Sequence, residues 1–309
     1  MMTLCVPTKN RPHFVERLLA WYVTAGWTSP ILLGDASEEQ IADAVERIVH
    51  AFRCATYVRM PQTNVLQTLH LLSLRITTPY AAWVSDDDYL MPAGLYDCQR
   101  FLEQHPDIVA CHGTGVIQRR DADSPWGHVV TQHPYVALDL MEDTPYARLA
   151  QALRMPASLH TALRRTADFA ALFARGGDLP GATQGMIFDD LIPYCLAAVQ
   201  GKTKRLDTPY LIRQSHDGIY RQCSFLDWLT HPDWPSMYGV LETALSATIP
   251  PASFRLLFQE YLRQQFRATL TNRSSRNVFQ WIRNSWNRWN APAALPFGQH
   301  EPMGAAFLK

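Results

Sequence analysis

The stretch Tyr80-Ala81-Ala82-Trp83-Val84-Ser85-Asp86-Asp87-Asp88 decides the reading of this chain. Its first six residues form a short apolar run, as in a buried strand. The run ends in three consecutive carboxylates, which repel one another unless a cation or hydrogen-bond donors offset their charge. Open α/β sheets bind their ligands outside the carboxyl ends of their strands. A strand ending in Asp-Asp-Asp therefore sets hard oxygen ligands where Mg²⁺ or Mn²⁺ would bridge carboxylates to substrate phosphates. The plainer alternative is a solvated acidic turn that caps the next helix.

Upstream, short apolar runs alternate with amphipathic stretches, the pattern of an α/β layer with a mostly parallel central sheet. Thr3–Pro7, Ile31–Gly34 and Ala55–Met60 read as strands. Pro12 opens a helix carrying Phe14, Leu18, Trp21, Tyr22 and Ala25 at helical spacing. Ser37 and Gln40 have capping-box spacing for a helix reaching Arg53, and Val65–Arg75 has an apolar face. Downstream, a helix spans about Leu95–His105 and a strand Ile108–His112, and 114–135 reads as a long loop or small hairpin. Tyr146–Leu153 is predicted helical, Leu159–Leu163 a strand, Ala167–Ala174 a helix, Phe188–Val199 a helix and Leu206–Arg213 extended. From Phe225 strand signals stop. The expected organisation is an α/β domain over 1–224, divisible near 113 into two halves that the resemblance described below makes the nucleotide and acceptor halves of a catalytic domain, followed by a helical extension and tail over 225–309.

Hydrophobic residues make up 47% of the 309, enough for a sizeable core, and Lys plus Arg and Asp plus Glu are 28 each. Zero net charge disfavours a globally basic nucleic-acid binder. The charge is uneven, however: residues 251–290 hold seven Arg and a single acid, Glu260. Six cysteines without a CxxC pair, and no leader-like segment, lead us to expect a reducing, cytoplasmic setting. No GxGxxG or GxxxxGK[ST] is present, so neither a Rossmann dinucleotide site nor a P-loop is supported.

Four motifs in order carry a resemblance: Pro7-Thr8-Lys9-Asn10-Arg11, Gly34-Asp35-Ala36-Ser37, Trp83 to Tyr89, and Phe188-Asp189-Asp190. Together they resemble a family 2 glycosyltransferase of the GT-A fold over roughly residues 2–220. The resemblance implies a nucleotide pocket lined by Pro7, Thr8, Asn10 and Arg11, with Asp35 reading the base. It implies Asp86 and Asp88 as the DxD pair, with Asp87 beside them, and Mn²⁺ or Mg²⁺ held by Asp88, Asp86 and His216. Asp190 would be the general base, with Asp189 its nearest competitor. Departures from the family pattern are the Gly-Asp-Ala-Ser order, an Asn-rich helix reduced to Gln62-Thr63-Asn64, and the lack of a Gln-x-x-Arg-Trp motif. The last, with no membrane span, argues against a processive polysaccharide synthase.

The implied reaction is one inverting displacement that moves a sugar from a nucleoside-diphosphate donor, a UDP-sugar by default, to a hydroxyl of a glycan, lipid-linked or protein acceptor. Gly176, Gly177, Gly181 and Gly185 mark a loop suited to closing over the donor. Within Arg276–Asn290, Val278, Ile282, Trp286 and Trp289 form an apolar stripe beside basic residues. That stripe suits the inner face of a membrane, the catalytic domain, or a second copy of the chain. The competing functions are a non-catalytic GT-A domain that binds a nucleotide sugar or a partner, and a sugar-1-phosphate nucleotidyltransferase. The glycine-poor first loop counts against the nucleotidyltransferase.

Overall fold

The computed structural model describes residues 1–121, 126–135, 137–155, 159–174, 188–215, 232 and 234–271. Its centre is a nine-stranded mixed sheet. The first part is parallel: β1 (Met2–Thr8) lies between β2 (Ile31–Asp35) and β4 (Tyr80–Trp83), with β3 (Ala55–Arg59) beyond β2. Helices α1 (Pro12–Thr24), α2 (Glu39–His50) and α3 (Val65–Ser73) make the crossovers. Register pairs Thr8 with Asp35 and Cys5 with Trp83, so the loops after β1, β2 and β4 leave from one edge of the sheet.

Both faces of this part are covered, and its strands are apolar at nearly every position, as expected for a buried parallel sheet. Alternate side chains serve different cores. Leu4, Val6, Ile31, Leu33, Ala82 and Val84 join Leu18, Tyr22 and Val45 on one face. Cys5, Leu32, Ala81 and Trp83 join Leu66, Leu69 and Phe173 on the other. Pro12 opens α1, where its fixed φ suits the first turn and its missing N–H costs nothing. Asn64 and Gln67 form a capping box on α3. The box expected at Ser37 is not formed. Glu38 is the N-cap of α2 and makes no side-chain cap, because the Ser37 hydroxyl accepts the Asn10 N–H at 2.7 Å instead.

The second part is longer-stranded and mixed. It comprises β5 (Tyr89–Leu90), α4 (Pro92–Gln104), β6 (Ile108–Arg120), β7 (Val129–Tyr135), α5 (Pro145–Arg154), β8 (Leu163–Arg165), α6 (Thr166–Phe173), α7 (Phe188–Gln200) and β9 (Lys202–Ser215). The spatial order is β3-β2-β1-β4-β8-β6-β9-β5, with β7 also on β6. β6 runs parallel to β9 and antiparallel to β7 and β8. Of the two readings for 114–135, the hairpin is the one found. The strand expected at Leu159–Leu163 is a 3-10 turn, Leu159–Thr161, and β8 starts only at Leu163. The buried Arg164 guanidinium binds the carbonyls of Leu159, His160 and Ala162, which curls this segment out of an extended path.

Helices α8 (Trp234–Ser246) and α9 (Pro251–Thr271) follow the sheet domain. Met237, Leu241, Phe254 and Phe258 extend the core that α7 shares with β4. Among the described residues no helix is long and apolar enough to cross a membrane. Cys5, Cys54, Cys98, Cys111 and Cys195 are free thiols. The glycine loop at 176–185, His216 and the Arg276–Asn290 stripe lie outside the described residues.

Candidate active site

The β1–α1 loop, the β2–α2 loop and the acidic segment after β4 are stitched together at the sheet edge. The Thr8 hydroxyl donates to Asp86 Oδ2 at 2.7 Å. Arg11 donates to Asp86 Oδ1 at 2.6 Å and to Asp87 Oδ2 at 3.0 Å, with its guanidinium 4.2 Å from the centre of the Phe14 ring. Burial opposes the Arg11 charge, but Asp86 and Asp87 more than offset it and raise its pKa. Asn10 sits at φ +58°, a left-handed conformation Asn tolerates better than most residues. From there its N–H reaches Ser37, and its Oδ1 accepts the Glu38 N–H at 2.9 Å. Pro7, which needs no ladder donor, pairs in register with Gly34.

Asp35 is fully buried, and both its oxygens are engaged: Oδ1 accepts the Ser37 N–H at 2.8 Å and Oδ2 the Tyr57 hydroxyl at 2.9 Å. In this geometry Asp35 binds the β2 loop and β3 together, and Tyr57 stands in front of one oxygen.

Asp88 is also buried. Its Oδ1 accepts the Gln214 N–H at 3.0 Å, and its Oδ2 lies 4.0 Å from Arg213 Nε. Burial first, and then the Asp87 charge, push the Asp88 pKa up to about 8, with Arg213 opposing. Arg213 has the converse balance: burial works against its charge, and Asp88 and Asp190 outweigh burial. Arg17 donates to the Gln214 side chain and, at 3.0 Å, to the Asp87 carbonyl, which ties α1 and the end of β9 to the acidic loop.

Asp190 arrives from the other half of the molecule, on the first turn of α7. Its side chain is 48% exposed, yet enough protein surrounds it that burial, the largest cause, and the Asp87 charge raise its pKa against the pull of Arg213. His160 Nε2 stands 3.8 Å from Asp190 Oδ1, and the imidazole stacks on Trp83 with 4.5 Å between ring centres. Asp189 is the preceding helical residue.

Thus Thr8, Arg11, Asp86, Asp87 and Asp88 form one connected cluster, with Asp190 across Arg213 from it. Sequence reasoning did not find His160, Arg17 or Gln214. Each is a lone polar residue with no local pattern, and only the long-range pairing of β4, α7 and β9 gives it a partner.

No protein-family model matches the sequence, and no curated protein is similar to it. Solved structures are similar in shape. Residues 1–349 of S. aureus TarS superpose with a TM-score of 0.53 at 14% identity, covering 91% of this chain and 78% of that one. The same TarS fragment in complex with UDP-GlcNAc gives 0.55, and in complex with UDP 0.53, each at 15% identity with the same coverage. At such identity the likeness is one of fold. The architecture is the GT-A fold the motifs implied, with a helical extension after it.

Proposed function

We propose that this chain is a glycosyltransferase that moves one sugar from a nucleoside-diphosphate donor, a UDP-sugar first, to a hydroxyl of a glycan, lipid-linked or protein acceptor. The observation that carries this reading is Arg213. Its principal charged neighbours are Asp88 from the acidic loop and Asp190 from α7, so the two groups the reaction needs meet at one cation. The UDP-GlcNAc and UDP complexes of the similarly folded TarS support the choice of donor.

In this reading the acceptor oxygen attacks the anomeric carbon while Asp190 takes its proton. The new C–O bond forms as the bond from that carbon to the diphosphate oxygen breaks, with inversion. A carboxylate whose proton affinity is raised is better matched to this task than an ordinary one, and such general-base help is worth ~10²–10⁴ in rate. Arg11 and Arg213 supply positive charge where the departing diphosphate gathers negative charge.

A divalent ion fits the donor set. Asp88 is a buried carboxylate with too little positive charge around it, which is what its raised pKa expresses. Mn²⁺ or Mg²⁺ would be held by Asp88 and Asp86. Among the described residues no three His, Cys, Asp or Glu side chains form such a cluster unaided. When bound, the ion stabilises charge on the leaving diphosphate.

The test is Asp190→Asn. Turnover of UDP-GlcNAc, by transfer or hydrolysis, is expected to fall ~10²–10⁴-fold, with UDP affinity by calorimetry unchanged. Retained turnover would remove Asp190 as the base. Failure to bind any member of a nucleoside-diphosphate panel, with or without Mn²⁺, would remove the whole reading.

A further inference from the structure

Among the described residues, His160 is the buried titratable group beside Asp190 that the reaction above leaves unused. The residue is 5% exposed, and its turn is clamped from below. The Arg164 guanidinium holds the carbonyls of Leu159, His160 and Ala162 at 2.9, 3.3 and 2.9 Å, and the Tyr210 hydroxyl donates to the Thr161 carbonyl at 2.8 Å. Trp83, three residues before Asp86, covers the ring face. The imidazole is thus fixed in both position and tilt. Its Nε2 faces Asp190, while Nδ1 is buried with no hydrogen-bond partner among the described residues.

We propose that His160 is a positioning residue, its Nε2–H directed at Asp190 Oδ1, so that the Asp190 carboxylate is turned and held with its other oxygen free for the acceptor hydroxyl. This rests on the reading of Asp190 as the base. Charge supports the tautomer. Burial, then Arg213 from β9 and Arg164 from β8, push His160 well below its ordinary pKa, so the ring carries a single proton. A proton on Nδ1 would find no acceptor and would leave the Nε2 lone pair against a carboxylate. A proton on Nε2 faces an anion. The separation of 3.8 Å lies just outside hydrogen-bond range, and contacts of this type commonly tighten only when substrate binds. Among the described residues, the other charged groups acting on Asp190 are Arg213 and Asp87.

The experiment uses the full chain labelled with ¹⁵N-histidine, with the His160 signals assigned by their loss in His160→Gln. Long-range ¹H–¹⁵N spectra from pH 5 to 8 are expected to show the Nε2–H tautomer throughout. The Nε2 shift should follow a titration that vanishes in Asp190→Asn. An Nδ1–H tautomer, or a signal indifferent to Asp190→Asn, overturns the proposal. A second arm follows UDP-GlcNAc hydrolysis with Mn²⁺. His160→Phe keeps a ring on Trp83 but has no donor, so the acidic limb of the kcat/KM profile should move up by about one pH unit, an about tenfold loss on that side. UDP affinity should be unchanged, and His160→Gln, which can donate, should restore most of the loss. An unmoved profile in folded His160→Phe also overturns the proposal. If that variant does not fold, the spectra of the parent and Asp190→Asn decide alone. Hydrolysis that survives Asp190→Asn would strike the base assignment, a result separable from the spectroscopic one.

Discussion

The two halves of the sheet treat their carboxylates in opposite ways. In the parallel half, Asp35 and Asp86 are buried and supplied with donors from the chain itself: Ser37 and Tyr57 for Asp35, Thr8 and Arg11 for Asp86. In the mixed half, Asp190 is half-exposed, and His160, whose Nε2 stands 3.8 Å from it, is still short of a hydrogen bond. Asp88, at the seam, is buried yet under-compensated. Under the proposed function the contrast is a division of labour. A surface that receives a preformed diphosphate gains from being rigid before the ligand arrives, since nothing then has to be reorganised. A base has to stay open to its acceptor and willing to take a proton, so it cannot be saturated with donors.

Substitutions can break or sharpen that contrast. The largest effect is on turnover, from Asp190→Asn as above. Next is a pair of glycines, one in each half. A Cβ on Gly113 of β6 would lie 2.1 Å from the Thr208 carbonyl oxygen, a backbone atom held in the sheet. Gly113→Ala should lower stability by about 3 kcal/mol in a urea titration. A Cβ on Gly34 of β2 would meet the Thr68 side-chain methyl at 2.4 Å, and a side chain yields more readily than a ladder, so Gly34→Ala should cost about 1 kcal/mol. Equal losses would mean the two halves are equally stiff.

Thr8→Val keeps shape but removes one donor from buried Asp86. An unfolding free energy lower by about 2 kcal/mol is expected, as for a hydrogen bond to a charged group. The last effect is at the seam and is one of pH dependence. Because burial and then the Asp87 charge raise the Asp88 pKa in the folded state, the native protein binds more protons than the unfolded chain between the ordinary carboxylate range and the raised value. Stability therefore falls as pH rises through that window. Asp88→Asn can keep the contact to the Gln214 N–H without the charge, so in metal-free protein it should raise Tm at pH 8 and barely change it at pH 4. A lower Tm at pH 8 would mean the carboxylate is already compensated.

Legibility followed the same division. β1 to β4 and α1 to α3 are visible in the sequence because each strand is a short apolar run and each crossover keeps helical spacing. In β6 and β9 the segments Thr114–Arg120 and Lys202–Arg205 carry mixed polar residues with no clean alternation, because their pairing is with each other and with β7 rather than with a uniformly buried face. Leu159–Leu163 looks like a strand locally and becomes a turn because Arg164, in the same segment, folds back on its carbonyls. β5, two residues long, has no period to detect. At the site, Asp86–Asp88 stand out by residue type and order and Asp190 only through the family resemblance, whereas nothing in the sequence marks His160, Arg17 or Gln214.

The sequence by itself determined the α/β class, the polarity of the first four strands and the position of the acidic loop, because these depend on local periodicity and on the directionality of parallel crossovers. Only the tertiary structure decided which charges are compensated: Asp86 by Arg11, Asp35 by Tyr57, and Asp190, among the described residues, by no group within hydrogen-bond reach. Charge compensation acts through a few ångströms of space, and residues 22 and 75 positions apart in the chain come within that distance only when the sheet is built.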